Sequence, residues 1–375
     1  MKKTLLFAAA ALVMTVGCSK TETTPEVTSD AASQIGFSTF VNTNYASRAL
    51  VTGTHYDVNE TFGTFAYYTP SNNTFPESAE LYIPESEVSN TTKATSGAVW
   101  KTAATYYWPK TGKLAFFSYS PYNKLADYAT CAPYTGVVIT NWDVDANQDV
   151  DVMVADPKLD QTANGTNDNY TGVPTIFRHK LAQIVGMSIK TAKDYANAHT
   201  EATAQVGDKF FAINSIKING VEYTGTYTNG NTVSATKEGW AANVATKDYT
   251  WYTSTTGLAF GSTKTAVAAN QSPASAGYLL VLPQKFNEDG NADANIVVTY
   301  TIKTCTGVDA QGNRSWFSEQ PVATLNFAAL NNGAGSEWAM NYKYTYNFTV
   351  DLDKDIIYWA PSVEEWETSS FDLTI

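Results

Sequence analysis

This chain of 375 residues has little of the side-chain chemistry that enzymes use. It contains only three histidines and three cysteines, and it has no HExxH, GxSxG or phosphate-binding-loop motif. Its cysteines do not have the spacing of a metal site. We therefore predict a protein that is not an enzyme and that holds no metal and no cofactor. A pair of carboxylates that meets only in the folded chain could still form a hydrolase site, which is the weakest alternative.

Charge is also scarce, because charged residues make up only 16% of the chain and the positive ones are scattered. The net charge is −12 and the isoelectric point is about 4.7. This composition lacks the basic patch of a nucleic-acid-binding protein, and its acidic surface would be repelled by anionic lipid. We expect no nucleic-acid partner and no membrane binding through surface charge.

A long apolar run occurs only at the N-terminus. It extends from Leu5 to Val16 behind two lysines and is too short to span a bilayer stably. Gly17 and Cys18 end it in the manner of a bacterial lipobox. The pattern predicts a signal peptide over residues 1–17 and lipidation of the Cys18 thiol, with an ordinary secretory peptide as the alternative. Residues 18–33 are polar and should form a flexible tether.

The two remaining cysteines, Cys131 and Cys305, lie in different halves of the chain. They could form a disulfide only if the fold brought their Cα atoms within about 7 Å. We favour two separate buried thiols, and pairing stays the alternative.

Aromatic and β-branched residues are abundant, and they occur in short runs between turn signals, which indicates strands. One run places the apolar side chains of Tyr344, Tyr346, Phe348 and Val350 on a single face. The dipeptide Asn219-Gly220 predicts a hairpin. The residue pattern favours antiparallel β-sandwiches, and the length favours two domains.

An acidic stretch has the alternate spacing of a calcium loop, with oxygen ligands at Asp143, Asp145, Asn147 and Asp149. However, Gln148 replaces the glycine that the sharp turn of such a loop requires. The twelfth position carries a valine instead of a glutamate. We therefore predict a solvated acidic turn.

Seven spaced segments carry a further signal. In the first half they are Tyr106–Pro109 (YYWP), Lys113–Pro121 (KLAFFSYSP) and Asp149–Ala155 (DVDVMVA). In the second half they are Phe177–Ile184 (FRHKLAQI), Leu279–Gln284 (LLVLPQ), Tyr342–Phe348 (YKYTYNF) and Val363–Trp366 (VEEW). In this order, behind a lipobox, the set resembles the fimbrillin family, the shaft and accessory subunits of type V pili of Gram-negative anaerobes, including Mfa-like lipoproteins.

The resemblance implies an all-β fold of two tandem transthyretin-like antiparallel β-sandwiches, over residues 34–175 and 176–375. It also implies a structural or adhesive pilus subunit, anchored by lipid in the outer membrane and located at the cell-surface fimbrium. Its partners would be other pilus subunits, with host or bacterial surface molecules as further ligands. In this family a protease cuts after an arginine near the N-terminus, the first strand leaves, and a strand from another subunit fills the groove.

Three parts of the sequence fit that exchange. The leaving strand should alternate, as do Ile35, Phe37, Thr39 and Val41. The first arginine of the chain follows it, which makes the Arg48–Ala49 bond the candidate cleavage site. The C-terminal segment also alternates and is the candidate donor strand, with Phe371, Leu373 and Ile375 on one face.

Plainer interpretations stay open. Arg48 could be an ordinary solvated charge, and the C-terminal alternation could be an edge strand of its own domain. The short tail beyond Trp366 leaves a shaft subunit and a tip or anchor subunit as alternatives. For the whole chain, the alternative is a surface carbohydrate-binding lipoprotein whose exposed aromatic side chains stack on sugar rings, at Tyr67-Tyr68, Tyr106-Tyr107-Trp108 and Trp251-Tyr252.

Overall fold

The computed structural model describes residues 34–41, 56–91, 100–163, 172–230, 237–286, 293–329, 336–354 and 356–365. Almost all regular structure in these residues is β, which confirms the all-β prediction. The first ten strands are β1 Phe37–Val41, β2 Phe62–Thr69, β3 Glu80–Asn90, β4 Trp100–Thr102, β5 Lys113–Ser120, β6 Ala129–Ala132, β7 Gly136–Asp143, β8 Met153–Ala155, β9 Lys158–Gln161 and β10 Val173–His179.

The strands of the second half are generally longer. They are β11 Ala182–Thr191, β12 Lys209–Glu222, β13 Thr224–Thr228, β14 Gly239–Ala242, β15 Thr246–Phe260, β16 Thr265–Ala266, β17 Leu279–Val281, β18 Gln284–Lys285, β19 Asn295–Val308, β20 Arg314–Glu319, β21 Val322–Asn326, β22 Glu337–Trp338, β23 Tyr342–Asp351 and β24 Ile356–Glu365. The helical pieces are short, namely α1 Tyr122–Leu125 and two 3-10 turns, Ala274–Ala276 and Phe327–Ala329.

Seven strands of the first half form a closed ring. Their hydrogen-bonded order is β2-β3-β4-β1-β10-β8-β5, and β5 pairs with β2 to complete the circuit, while β9 pairs with β5 outside it. Closure of this kind removes free strand edges. The strand β1 therefore occupies one of the seven places in the ring.

The two neighbouring strands β2 and β5 are apolar on both faces. Along β2, Phe62 and Ala66 pack into one cluster of buried side chains, while Phe65 and Tyr67 pack into a second one. Successive side chains of a strand point to opposite faces, so each face needs its own covering layer. The first cluster fills the ring, and the second lies between the ring and a further sheet.

That further sheet combines strands from both halves of the chain. Its order is β14-β13-β7-β6, so the hairpin of β13 and β14 pairs with strands of the first half. The expected boundary between residues 175 and 176 lies inside β10, which pairs with β1 and β8 of the ring. The division into two tandem transthyretin-like domains stays a prediction.

Most of the other strands of the second half form two sheets that enclose the largest apolar core, and β18 and β22 pair separately. One contains β16, β11, β23 and β24, and the other contains β15, β12, β19 and β20. The predicted alternation in β23 is confirmed, because Tyr344, Tyr346, Phe348 and Val350 are all buried in this core. Sheets with one apolar face bury that face by packing against a second sheet, which makes a sandwich.

Most strand pairs are antiparallel, as the predicted antiparallel sandwiches require, but two pairs depart from that arrangement. The strands β1 and β10 pair in parallel, and so do β11 and β23. Each pair is separated by more than 100 residues of sequence, which is ample for the crossover that parallel pairing requires. The dipeptide Asn219-Gly220 is also not a hairpin turn. It lies inside β12, where Gly220 has a φ of 69° and the register with β15 shifts.

A glutamine side chain joins the acidic turn to the second half. The Leu280 N–H donates to Gln148 Oε1 at 2.8 Å, and Gln148 Nε2 donates to the Leu280 carbonyl at 2.7 Å. The amide thus takes the position of a neighbouring strand beside β17. The residue that disqualified this turn as a calcium loop has a structural role instead.

We predict that Gln148→Glu lowers the free energy of unfolding by about 1–3 kcal/mol, because the carboxylate cannot donate to the Leu280 carbonyl. Urea unfolding followed by tryptophan fluorescence measures the effect. The exposed Gln320→Glu substitution adds the same charge and should change stability by less than about 0.5 kcal/mol. Equal losses in the two variants would contradict the role of Gln148.

Candidate functional site at the first strand

The strand β1 is held unequally by its two neighbours. Its five residues all pair with β10, from Phe37 beside Val173 to Val41 beside Phe177. On the other side, β4 has three residues, and Phe37 beside Trp100 is its pairing with β1 in the described part. The principal backbone support of β1 is therefore the parallel edge of β10.

The apolar side chains of the first segment lie in the ring core. Ile35 and Phe37 are each 2% exposed. The Phe37 ring makes edge contacts with Phe62 and Phe116 at centroid distances of 5.7 and 5.8 Å. Thr39 is half-buried. The alternation predicted for this strand thus places Ile35 and Phe37 in the ring core. We call the aromatic residues that line this core under β1, chiefly Phe62 and Phe116, the aromatic bed.

Polar contacts fix the residues that precede β1. The Ile35 N–H donates to the Tyr106 carbonyl at 2.9 Å. Gln34 forms a β-bridge with Tyr107, and its Oε1 accepts from Lys101 Nζ at 2.8 Å. The segment Tyr106–Pro109, which contributed to the family resemblance, therefore docks the start of the first strand.

Tyr56 is anchored in the bed beneath β1. Its ring stacks on Phe177 at 5.0 Å and makes an edge contact with Trp100 at 5.2 Å. Its hydroxyl lies 2.5 Å from Ser120 Oγ, and burial raises the pKa of the phenol above its ordinary value. Sequence reasoning missed this residue, because a single tyrosine in a polar stretch has no periodicity.

Gly172 allows β1 to approach the start of β10. The Val173 N–H donates to the Gly36 carbonyl at 2.8 Å. A Cβ at position 172 would lie 2.8 Å from the Gly36 oxygen and 2.9 Å from the Phe37 carbonyl carbon. Backbone atoms cannot swing away as a flexible side chain can, so this contact tolerates only glycine. The sequence gives no sign of it, because Gly172 ends a polar loop.

Several predicted site residues lie outside the described residues. This holds for the lipidation residue, for both residues of the candidate cleavage site, and for the candidate donor strand. They are Cys18, Arg48, Ala49, Phe371, Leu373 and Ile375. Their predicted roles stay predictions.

The described side chains form carboxylate–histidine pairs inside the fold. His179, 6% exposed, lies 2.6 Å from Asp151, and His199 lies 2.6 Å from Asp208. Backbone hydrogen bonding from Gln205 is the leading cause that lowers the pKa of Asp208. In the described ranges, no group of three or more His, Cys, Asp or Glu side chains could hold a metal ion. The histidine pairs thus serve as internal polar links.

The acidic turn is neutralised by lysines. Asp145 pairs with Lys247, and Asp149 lies 3.4 Å from Lys124.

Cys131 and Cys305 are both free thiols. Cys305 is buried as expected, whereas Cys131 is only half-buried, contrary to expectation. No helix within the described ranges has the length and apolar character needed to cross a membrane.

The expectation of exposed aromatic platforms is wrong for three residues. Tyr67, Tyr68 and Trp251 are buried, because they belong to the apolar cores. The segment from Tyr106 to Trp108 is half-buried, and the Trp108 ring packs edge-on against Phe116 at 5.7 Å. These aromatic side chains stabilise the sheets.

We predict that Gly172→Ala destabilises the docking of β1 by about 1–3 kcal/mol, because the added methyl group overlaps the backbone of Gly36 and Phe37. Hydrogen exchange of the β1 amides should accelerate more than exchange in β23. The control is Gly261→Ala, where a Cβ meets nothing within 4 Å. Unchanged exchange in β1 would show that the close approach is unimportant.

Comparisons with known proteins agree with this architecture. The sequence model of the fimbrillin-like family matches residues 47–366. A fimbrial protein from Bacteroides vulgatus is similar in structure, with a TM-score of 0.50, 16% identity, and coverage of 89% of this chain and 100% of that one. Comparison with curated proteins finds no match.

Two other similar structures come from Porphyromonas gingivalis. The fimbrial anchor protein Mfa2 has a TM-score of 0.34 and 11% identity, covering 89% of this chain and 97% of that one. The tip fimbrial protein Mfa3 has a TM-score of 0.35 and 11% identity, covering 82% and 94%. Because the family model spans most of the sequence, the chain belongs to the fimbrillin-like family.

Proposed function

We propose that this protein is a structural or adhesive pilus subunit that joins other subunits by exchange of its first strand. Cleavage at Arg48–Ala49 separates β1 from the rest of the ring. The strand then leaves, and a strand of another subunit takes its place. The position of β1 carries the proposal, since this strand fills a slot in an otherwise continuous ring.

The slot has the physical properties that strand addition needs. Loss of β1 would leave the β10 edge without a partner and would expose the aromatic bed of Phe62 and Phe116. An incoming strand can restore the backbone hydrogen bonds and bury alternate apolar side chains there. Tyr56 follows the proposed cut in the sequence, and its contacts with Ser120 and Phe177 do not involve β1. It would therefore stay packed against Phe62 after β1 has left.

The C-terminal segment matches the chemistry of that slot. Phe371, Leu373 and Ile375 repeat the two-residue spacing with which Ile35 and Phe37 enter the ring core. A tail from one molecule could therefore replace β1 of the next. Shaft, tip and anchor positions in a filament differ in whether both slot and tail are used.

Lipidation of Cys18 would hold the subunit at the outer membrane before cleavage. The cut lies between β1, which stays attached to the lipid, and the other six strands of the ring, so it also detaches the assembled subunit from its anchor. Cell-surface location in a fimbrium follows from this sequence of events. We assign no catalytic step to the chain.

Locking β1 in the ring should block assembly. Thr39 and Thr175 face each other in the pairing of β1 with β10, so the double variant Thr39→Cys/Thr175→Cys can form a cross-link. After trypsin cleavage at Arg48, we expect the oxidised variant to stay monomeric and the reduced one to form detergent-resistant multimers, as shown by gel electrophoresis.

Two controls accompany the lock. The single variant Thr39→Cys should assemble under both redox conditions, and Arg48→Gln should neither be cut at that site nor assemble. Multimers formed equally fast by the oxidised double variant would show that β1 does not leave, and would remove strand exchange from the proposed function.

The tail should act through one of its faces. Deletion of residues 369–375 should abolish multimers of the cut protein without unfolding it. A charge on the apolar face, Leu373→Asp, should reduce multimer yield by about tenfold or more, because a leucine that is buried on assembly is lost. Thr374→Asp places the same charge on the opposite face and should leave the yield within about twofold. Equal effects of the two substitutions would argue against the tail as donor.

A further inference from the structure

A polar cavity of about 550 Å³ lies where the mixed sheet meets the second half. The end of β12, the strand β14 and the short pair of β18 and β22 form its walls. Its lining includes Glu222, Glu238, Trp240, Gln284, Trp338 and Met340. This volume is typical of small-ligand sites.

Glu222 is the unusual residue of this lining. It is only 8% exposed, and its backbone is fixed by the Gln284 amide, which accepts from the Glu222 N–H and donates to its carbonyl, both at 3.0 Å. The Glu222 carboxylate itself has no hydrogen bond or ion pair with any described residue. Burial raises the pKa of this carboxyl above its ordinary value.

A carboxylate on a largely buried side chain loses part of its hydration, which costs free energy when no protein group replaces the lost water. The neighbouring Glu238 has such partners within the fold, because its Oε1 accepts hydrogen bonds from Lys180 and from Tyr227, both at 2.6 Å. Glu222, in contrast, lines the cavity, and its carboxylate has no partner among the described residues. The missing positive charge would therefore come from a bound group.

The remaining walls define the shape of that group. The indole N–H of Trp240 donates to the Lys180 carbonyl, and that of Trp338 donates to Tyr346 Oη. The half-buried Trp240 ring therefore offers the cavity apolar surface instead of a free donor, whereas Trp338 is 1% exposed and its ring packs against Phe286 and Phe327 in the core.

Because Lys180 neutralises Glu238, the balance of charge in the lining is Glu222 and Glu337 against Lys285, which leaves the cavity with a net negative charge. Carboxylates with aromatic walls suit a cation carried on an apolar stem.

We propose that this cavity binds an alkylammonium or alkylguanidinium group, with the Glu222 carboxylate as its counter-ion and the indole ring of Trp240 as its apolar wall. The cation could be a lysine or arginine side chain of another polypeptide, or a free amine. This site lies apart from β1 and its slot, so it does not depend on strand exchange.

Isothermal titration of the full chain tests the proposal with four probes of defined charge. They are Nα-acetyl-arginine amide, Nα-acetyl-lysine amide, putrescine and the neutral isostere Nα-acetyl-citrulline amide. We expect at least one cationic probe to bind about tenfold or more tightly than the citrulline compound, as a charge-assisted bond predicts. Tighter binding of the amino-acid amides identifies a protein side chain as the source, and tighter binding of putrescine identifies a free amine.

Glu222→Gln should weaken cation binding by about tenfold or more, because it removes the counter-charge. The thermal midpoint should not fall, since the bonds to Gln284 use the backbone of residue 222. Glu319→Gln, on the exposed strand β20, is the matched control and should bind as the unmodified chain does. Absence of binding by every cation, equal binding of the citrulline compound, or unchanged binding by Glu222→Gln would overturn the proposal.

Discussion

The burial of β2 and β5 on both faces is the constraint around which this molecule is built. A two-sided apolar sheet cannot face water on either side, so one face requires the closed ring and the other requires the mixed sheet. Phe116 and Phe117, adjacent in β5, enter different clusters and so tie the two layers together. The ring in turn gives β1 its slot, and the mixed sheet brings the second half of the chain against the first.

At the junction of the two halves, the amide side chains of two glutamines form hydrogen bonds with backbone groups at the ends of strands. Short strands end there, and their backbone groups need partners that no neighbouring strand supplies. Gln148 serves Leu280, and Gln284 serves Glu222, each through one donor and one acceptor. Glutamine can do this because its amide has the same pair of groups as a peptide. The same arrangement fixes Glu222 at the wall of the acidic cavity.

The exchange proposed for β1 would depend on the same contacts that hold this strand in its slot. Ile35, just before the strand, and Phe37 contribute large apolar side chains, and the backbone of β1 pairs chiefly with β10 along a single edge. Backbone pairing and alternate apolar side chains are contacts that, under the proposed function, another alternating segment would reproduce. In the proposed filament, each junction would depend on matching shape and on the alternation of apolar side chains.

Sequence reasoning was most successful where the signal was local. Alternation predicted the buried face of β23 and the inward side chains of the first strand, and composition predicted an all-β chain. It was wrong about exposed aromatics such as Tyr67, because a strand with apolar residues at every position has no solvent face to reveal. It also placed a hairpin at Asn219-Gly220, where a longer strand passes through a bulge. The bulge in β12 arises from its pairing with β15, whose residues lie about 30 positions further along the chain.

The sequence by itself determined the strand-forming segments, the family membership and the spacing of side chains on each strand, because these depend on neighbours within a few residues. The tertiary structure alone decided that β1 and β10 run in parallel, that Gly172 must lack a side chain, and that the Glu222 carboxylate lines a cavity. Those features arise from contacts between segments far apart in the chain. No periodic pattern encodes such contacts, since the free energy of many simultaneous pairings selects them together.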